Sequence, residues 1–320
     1  MGWLLYIFAA PPAAAAVLRV FSAVLPEGPS RLLSFAAFCI TSVYCMTLCA
    51  SYGVVAAIPL RLTGYGGLSQ WTVARAFKWT MWLSTGITFR VQEWSGRVEG
   101  GRRGGMEALE TRPAVFVGNH QTELDVLMLG CMFPKYTSVT AKKSLKYYPF
   151  LGWFMALSKT VFIDRANRAT ARAAFDTAAH TIRSERQSVF IFPEGTRSYA
   201  TKPELLPFKK GAFHLAIQAQ VPIVPVVVGT YSHVLNIKDK IVRPGTVDIS
   251  VLPPIPTTGM TRADADKLTT RTRDAMLEEL VRLSHVSGVG EPQALPRERS
   301  VDEARGTMKK RTGANVVPQY

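Results

Sequence analysis

A long uncharged segment constrains the fold of this chain more than any other feature of its sequence. Residues 32–60 contain no Asp, Glu, Lys or Arg, and Arg31 and Arg61 flank the segment. A helix of about 20 apolar residues crosses the hydrocarbon core of a bilayer, so this segment is long enough to span it. The alternative is a buried helix of a soluble core, which rarely stays uncharged beyond about 18 residues. We therefore predict a membrane-spanning helix over residues 32–60.

Two further segments near the N-terminus have the composition of membrane-associated helices. Residues 2–24 carry a single charge, but they contain Pro11 and Pro12, and a double proline kinks or breaks a helix. We predict a first membrane helix there, with a re-entrant anchor or a signal peptide as alternatives. Residues 71–91 mix Trp and Phe with Lys and Arg, which favours a helix at the membrane interface and equally an ordinary helix of a globular domain. Residues 1–100 are thus predicted to anchor the protein in a membrane.

The charge balance predicts an anionic partner. The chain has 38 Lys and Arg against 23 Asp and Glu, a formal net charge of +15. A mean hydropathy of +0.10 makes a lipid surface a more natural partner than nucleic acid. The four cysteines are too few for a disulfide scaffold, and they show no zinc-binding spacing, so no metal site is predicted.

Residues 101–285 alternate between strand and helix patterns, which predicts an α/β domain. A largely parallel central sheet flanked by helices is expected, with chemistry at the carboxyl ends of its strands. Helices are predicted over residues 122–132, 171–183, 210–220 and 264–283. Strands are predicted over residues 114–117, 160–163, 188–192, 222–228 and 247–251. The helical period is lost from residue 286 onward, and residues 286–320 are predicted to be a flexible tail without a fixed fold.

One polar turn follows the first predicted strand of this domain. His120 comes directly after the strand, and Asp125 lies five positions further on, in the first turn of the next helix. If the chain folds back, the carboxylate can accept the Nδ1 hydrogen of His120 and leave Nε2 free as a base. Such a pair can take a proton from an alcohol. The alternative is an exposed turn histidine beside an unrelated carboxylate.

A second polar turn follows the third predicted strand. Gly195 allows backbone amides to approach an anion, Thr196 adds a hydroxyl, and Arg197 offers a planar fork that suits phosphate. The alternative is a plain β-turn with a surface arginine. Three further cations, Arg165, Lys209 and Lys210, are expected at the same edge of the sheet. A base beside a phosphate site on a membrane-anchored domain indicates a phospholipid-like alcohol as substrate.

Four sequence blocks in order resemble the motifs of glycerolipid acyltransferases. They are Asn-His-Gln-Thr-Glu-Leu-Asp at 119–125, Val-Phe-Ile-Asp-Arg at 161–165, Phe-Pro-Glu-Gly-Thr-Arg-Ser at 192–198 and Val-Pro-Ile-Val-Pro-Val at 221–226. The segment that begins at Lys143 also fits. The Asn-His-Gln and Glu-Gly-Thr-Arg forms are most similar to those of 1-acyl-sn-glycerol-3-phosphate acyltransferases.

The resemblance implies the glycerolipid acyltransferase fold and a reaction in phospholipid biosynthesis. Acyl-CoA would be the donor and co-substrate with no further cofactor, lysophosphatidic acid the acceptor and phosphatidic acid the product. His120 would be the general base, oriented by Asp125, and the sn-2 alcohol oxygen would attack the thioester directly. The substrate-binding residues would be Glu194, Gly195, Thr196 and Arg197, together with Arg165, Lys143 and Lys209.

The resemblance also implies a place in the cell, and some alternatives stay open. Because acyl-CoA is made in the cytosol, the catalytic domain is expected on the cytosolic side of a membrane, which in a eukaryote would be the endoplasmic reticulum. The expected partners are acyl-CoA, lysophosphatidic acid and a lipid bilayer, and no nucleic acid. The alternatives are an acyltransferase for another lysophospholipid or for glycerol-3-phosphate, and a non-catalytic lipid-binding or lipid-transfer protein.

Overall fold

The computed structural model describes residues 2–94, 96, 103–164 and 166–286. The predicted tail lies outside the described residues except for Val286, as does Arg165. The helices are α1 Gly2–Val24, α2 Glu27–Leu62, α3 Ser69–Thr85, α4 Met106–Leu109, α5 Asp125–Met132, α6 Leu151–Leu157, α7 Arg168–Glu185, α8 Gly211–Ala219 and α9 Ala265–Val286. The strands are β1 Ile87–Val91, β2 Val115–Gly118, β3 Thr137–Lys142, β4 Val161–Ile163, β5 Ser188–Ile191, β6 Ile223–Val228, β7 Leu235–Asn236, β8 Ile241–Val242 and β9 Gly245–Val251.

A seven-stranded sheet organises the domain, in the order β1-β9-β6-β2-β5-β3-β4. The strands from β6 to β4 in this order are mutually parallel, whereas β9 runs antiparallel to β6 and pairs in parallel with β1. The prediction of a largely parallel sheet is therefore confirmed, with two strands at one edge reversed. Every residue of β2, β5 and β6 is buried, as expected for central parallel strands that are covered on both faces.

Helices cover both faces of the sheet. Val115 and Val117 of β2 point to one face and pack with α7, α8 and α9. Phe116 points to the other face and packs with α2, α3, α5 and α6. This alternation follows from the two-residue period of a strand. The carboxyl ends of β2, β5 and β3 therefore lie between two helical layers.

The long apolar segment forms helix α2, which is continuous from Glu27 to Leu62. Within the described part of the chain, it is the one helix long and apolar enough to cross a membrane. Only 28% of its most apolar window is buried against the rest of the protein, and that face packs on α3 and α6. Gly53 lets these helices approach closely, because a Cβ there would lie 2.5 Å from the ring of Phe154 and 2.7 Å from Val73.

Helix α1 packs against α2 and is also continuous. Pro11 and Pro12 lie inside it without ending it, so the break expected at the double proline is absent. The hydroxyl of Ser30 in α2 donates to the carbonyl oxygen of Ser22 in α1 at 2.6 Å, which ties the two helices together near their connection.

The predicted interfacial helix over residues 71–91 is wrong in its second part. Helix α3 ends at Thr85, and Gly86 caps it in a left-handed conformation with φ of 69°. Residues 87–91 form strand β1, which pairs with β9. Ile87 and Thr88 are β-branched and suit a strand better than a helix. The segment before residue 100 therefore contributes an edge strand to the catalytic domain.

Candidate active site

The two polar turns of the sequence meet at the carboxyl edge of the sheet. The first follows β2 and the second follows β5, and these strands are neighbours in parallel. Two backbone hydrogen bonds join the turns directly. The amide of Ser198 donates to the carbonyl oxygen of His120 at 2.9 Å, and that of Tyr199 donates to Gln121 at 3.0 Å. The two turns are therefore one structural unit.

His120 and Asp125 form the contact that their spacing predicts. The Nδ1 atom of His120 lies 2.7 Å from Oδ2 of Asp125. The carboxylate can only accept, so Nδ1 carries the hydrogen and Nε2 has a free lone pair. The backbone folds back because α5 begins at Asp125 and not at Thr122, which leaves a turn of the required length between the two side chains.

A buried tyrosine holds Asp125 from the other side. The hydroxyl of Tyr231 donates to Oδ1 of Asp125 at 2.6 Å, and its side chain is 0% exposed. The amide of Gln121 donates to Oδ2 at 2.7 Å, so three donors fix the carboxylate. Burial, and then the negative charge of Asp125, raise the pKa of the Tyr231 hydroxyl well above its ordinary value. The hydroxyl therefore remains a hydrogen donor throughout the neutral range.

Sequence reasoning missed Tyr231. It lies just after β6, more than a hundred residues from its partner, and no local spacing connects the two. Its oxygen also accepts from the amide of Thr122 at 3.0 Å, so one hydroxyl joins the first turn to the end of β6. The only sequence feature that could have indicated this role is the position of Tyr231 just after the apolar strand β6, which is the neighbour of β2 in the sheet.

Asn119 and Gln121 fasten the first turn to the end of β6. The side chain of Asn119 donates to the carbonyl oxygen of Val228 at 3.0 Å and accepts from its amide at 2.8 Å, as a backbone partner would. The side chain of Gln121 donates to the carbonyl oxygens of Val228 and Gly229, both at 3.0 Å. His120 therefore sits between two residues whose side chains are fixed.

Glu194, which we predicted to bind substrate, has both carboxyl oxygens engaged within the protein. Its side chain is 3% exposed, with one oxygen accepting from the amide of His120 at 2.8 Å and the other from the amide of Leu206 at 3.1 Å. Burial raises the pKa of the Glu194 carboxyl, although these two amides act in the opposite direction. The contacts of Glu194 instead hold the backbone of His120.

Arg197 and Thr196 lie at the exposed side of the second turn. One guanidinium nitrogen of Arg197 donates to Oε1 of Glu123 at 2.8 Å, and Tyr199 donates to the same oxygen at 2.9 Å. The Arg197 side chain remains 39% exposed. Since a guanidinium has five N–H donors, most of them are available to an anion.

An apolar cavity of about 460 Å³ opens beside these residues. His120, Thr196 and Arg197 line it together with α3, α5, α6 and β3, and Met46, Cys49 and Ala50 of α2 line it as well. The ring of Phe192 forms part of its wall and stacks on the imidazole of His120, with 4.1 Å between ring centroids. The imidazole thus stands at the boundary between an apolar space and a cationic turn.

The remaining predicted site residues that the structure describes lie at the same edge of the sheet. Lys143 follows β3 and pairs with Asp164 after β4 at 3.3 Å. Gly195 has a positive φ of 70°, and the amine of Lys209 would lie 2.8 Å from a Cβ placed there. Lys210 pairs with Asp266 at 2.7 Å.

Comparison with known proteins gives a consistent family. The acyltransferase family model matches residues 102–229. An uncharacterized acyltransferase of Schizosaccharomyces pombe is 44% identical over 239 residues, which cover 74% of this chain and 81% of that protein. A 1-acyl-sn-glycerol-3-phosphate acyltransferase of Saccharomyces cerevisiae is 39% identical over 251 residues, which cover 77% of this chain and 79% of that protein.

A solved structure is also similar. The crystal structure of a 1-acyl-sn-glycerophosphate (LPA) acyltransferase from Thermotoga maritima matches with a TM-score of 0.47 and 19% identity, over 73% of this chain and 95% of that chain. The matches to the two yeast proteins extend over most of their length, well beyond the four sequence blocks. The chain is therefore an acyltransferase and belongs to the family of the 1-acyl-sn-glycerol-3-phosphate acyltransferases.

Proposed function

We propose that this enzyme transfers an acyl group from acyl-CoA to the sn-2 hydroxyl of 1-acyl-sn-glycerol-3-phosphate and so makes phosphatidic acid. The observation that carries the proposal is the imidazole of His120, held by Asp125 at 2.7 Å on the wall of an apolar cavity. The names of the similar proteins support the choice of acceptor.

The proposed chemistry is one direct transfer. Nε2 of His120 takes the proton of the sn-2 hydroxyl while its oxygen forms a bond to the thioester carbonyl carbon. The carbon–sulfur bond then breaks, and the departing thiolate receives the proton from Nε2. Asp125 keeps the imidazole in the required tautomer and stabilises the imidazolium that forms between the two proton transfers.

The apolar cavity suits the acyl chain of the donor. It begins at His120 and extends between helices lined by side chains such as Phe77, Phe154 and Met155. Burial of methylene groups there would stabilise the bound donor by about 0.8 kcal/mol for each group removed from water. This arrangement would bring the thioester carbonyl to the imidazole.

The second turn suits the phosphate of the acceptor. Arg197 and Thr196 line the cavity beside His120, and Gly195 precedes them with the amine of Lys209 next to it. A guanidinium can bind phosphate oxygens with two parallel hydrogen bonds. Lys143 and Arg165 follow neighbouring strands and would add positive charge at the same edge.

We further propose that α2 lies in a membrane and places the site at its surface. Its exposed face is apolar, with Val43 at 59%, Val55 at 70% and Ile58 at 54% exposure. A lysophospholipid acceptor resides in the bilayer, so an anchored enzyme meets it by lateral diffusion. In a eukaryotic cell, the endoplasmic reticulum with the site facing the cytosol fits a role in phospholipid biosynthesis.

One assay tests the function. Full-length protein purified in detergent is incubated with radiolabelled oleoyl-CoA and a panel of lysophosphatidic acid, other lysophospholipids and glycerol-3-phosphate. We expect labelled phosphatidic acid as the main product, and a loss of about 10²–10⁴-fold in turnover for His120→Ala. His180→Ala removes an exposed imidazole from α7 and serves as the control. Preferential acylation of another acceptor, or full turnover by the His120 variant, would contradict the proposal.

A further inference from the structure

A second large depression adjoins the active site on the opposite face of the sheet. This basic groove has a volume of about 840 Å³ and lies between α7, α8 and the carboxyl ends of β3, β4 and β5. Its rim carries four cations: Arg172 of α7, Lys209 and Lys210 before α8, and Arg262 before α9.

Most of this positive charge is not neutralised within the protein. Among the residues that the structure describes, Arg172, Lys209 and Arg262 form no ion pair, and Lys210 pairs with Asp266. Each of the two acids that line the groove has a partner within the protein. Asp164 pairs with Lys143 at 3.3 Å, and Asp176 accepts from the side-chain amide of Gln218 at 2.9 Å. The open rim is therefore complementary to an anion with several charges.

The cations of the rim converge on one place. Burial and the neighbouring charges of Arg262, Lys210 and Arg172 lower the pKa of His214, which lines the groove. These three residues come from separate segments of the chain. All three line the basic groove, so the fold brings them together around one space.

The size and floor of the groove indicate a ligand larger than a single phosphate. Pockets of about 300–1,000 Å³ hold ligands the size of a cofactor. The floor includes the half-buried rings of Phe175, Phe192 and Phe208. A ligand that combines several phosphates with a ring and an uncharged arm would match both the rim and the floor.

The groove and the apolar cavity meet next to the imidazole. Phe192, Thr140 and Ala141 line both spaces, and Phe192 stacks on His120. Gly195 lies on the groove side of the second turn, whereas Thr196 and Arg197 lie on the cavity side. A thioester placed at His120 would therefore have its acyl chain on one side and its thiol carrier on the other.

We propose that the basic groove binds the nucleotide half of coenzyme A, with Arg172 and Arg262 contacting its phosphates. This inference rests on the proposed function and extends it, because it makes the free coenzyme thioester, and not a carrier protein, the donor that the site fits. The phosphate of the acceptor shares the same chemistry, and the experiment separates the two sources.

Two measurements on the full-length protein in detergent test the groove. In the first, calorimetry measures the affinity for coenzyme A and for 3′-dephospho-coenzyme A without any turnover. We expect the double variant Arg172→Ala/Arg262→Ala to lose about tenfold in coenzyme A affinity. Lys202→Ala removes an exposed cation outside the groove, and we expect no change. The wild-type protein should bind the dephospho form more weakly, a comparison that requires no substitution.

The second measurement compares donors that carry the same acyl chain. The double variant should raise KM for oleoyl-CoA about tenfold, but leave KM unchanged for the N-acetylcysteamine thioester and for lysophosphatidic acid. A rise in KM for lysophosphatidic acid alone would assign the groove to the acceptor and overturn the inference. An equal rise in KM for oleoyl-CoA and for the N-acetylcysteamine thioester would also overturn the inference. So would an unchanged affinity of the double variant for coenzyme A. The proposed function and the groove assignment can fail separately. If the wild-type protein binds coenzyme A and the double variant binds it more weakly, but the wild-type protein acylates no lysolipid, the proposed function is refuted and the groove assignment remains.

Discussion

Replacing Tyr231 with Phe removes one oxygen atom and tests whether the tyrosine acts on the catalytic pair. The hydroxyl donates to Asp125 at 2.6 Å and accepts from the amide of Thr122 at 3.0 Å. The ring packs edge-on against Phe89, with 5.7 Å between centroids, so a phenylalanine would keep the packing. The substitution therefore isolates the hydrogen bonds.

The expected magnitude follows from these contacts. A hydrogen bond to a charged group contributes about 1.5–3 kcal/mol, and a buried amide left without a partner costs about 1–3 kcal/mol. Because such effects are not additive, we expect the free energy of unfolding to fall by about 2–4 kcal/mol in total. The hydroxyl also holds Asp125 in the position that orients the imidazole. A bond of equal strength in the ground and transition states would leave kcat unchanged, so the fall of about ten- to hundredfold that we expect in kcat comes from the lost positioning of Asp125.

The pH dependence distinguishes a positioning role from a structural one. Without the donor, Asp125 keeps more negative charge toward the imidazole and stabilises the imidazolium form. The acid limb of the kcat/KM profile should therefore move to higher pH, because more alkaline conditions are needed to free the base. The assay measures kcat/KM with oleoyl-CoA from pH 5.5 to about 9, with Tyr65→Phe, which alters an exposed tyrosine, as the control. A lower Tm with an unchanged acid limb and kcat would refute the positioning role of Tyr231.

Three further substitutions probe the surroundings of the site. Glu194→Gln should lower kcat and Tm, because the amide of either His120 or Leu206 loses its acceptor, and should leave KM for lysophosphatidic acid unchanged. The control is Glu204→Gln at an exposed position. A rise only in KM for lysophosphatidic acid would indicate that Glu194 contributes to phosphate binding. Arg197→Ala should raise KM for lysophosphatidic acid about ten- to hundredfold, and Arg197→Lys should recover part of the loss. If steady-state kinetics showed a rise only in KM for acyl-CoA, Arg197 would belong to the donor site and not to the acceptor site. Gly53→Ala should lower the free energy of unfolding by about 1–3 kcal/mol through overpacking, and should reduce kcat/KM for long-chain relative to short-chain acyl donors. The control is Gly28→Ala on the same helix, where a Cβ would meet no other atom. An unchanged ratio of kcat/KM between long-chain and short-chain donors would contradict the assignment of the cavity to the acyl chain.

The parts of the site that sequence could predict are local in the chain. His120 and Asp125 lie five residues apart, and a tight turn between them is enough to bring the two side chains into contact. The position of the site at the carboxyl edge of the sheet was predictable, because each of the two polar turns follows a short buried strand and parallel strands bring their carboxyl ends together. A long helix over residues 32–60 was predictable because that segment carries no charge, although α2 begins earlier, at Glu27, and ends at Leu62.

The remaining features depend on contacts between distant segments. Glu194 and Arg197 stand three residues apart in one polar turn, and the sequence does not say which of them points inward. Strand β3 was missed because its composition, Thr-Ser-Val-Thr-Ala-Lys, is mostly polar. Strand β1 was assigned to a helix because its aromatic and basic residues continue the composition of α3. The reversal of β9 is a matter of chain direction, which hydrophobic patterning does not encode.

The helix that we propose as the membrane anchor also lines the cavity that we propose for the acyl chain, although the sequence presents anchor and site as two regions. Helix α2 has one exposed apolar face, and its other face provides Met46, Cys49 and Ala50 to the wall of the apolar cavity. The close contact at Gly53 fixes α2 against α3 and α6, which form the other walls. Strand β1 belongs to the sheet, so the catalytic domain extends well before residue 100. A chain cut near residue 100 would therefore lose an edge strand and one side of the cavity together with the anchor. Under both proposals, one helix would lie in the bilayer and form part of the acyl-chain site, which would keep that site next to the membrane in which the proposed lipid acceptor resides.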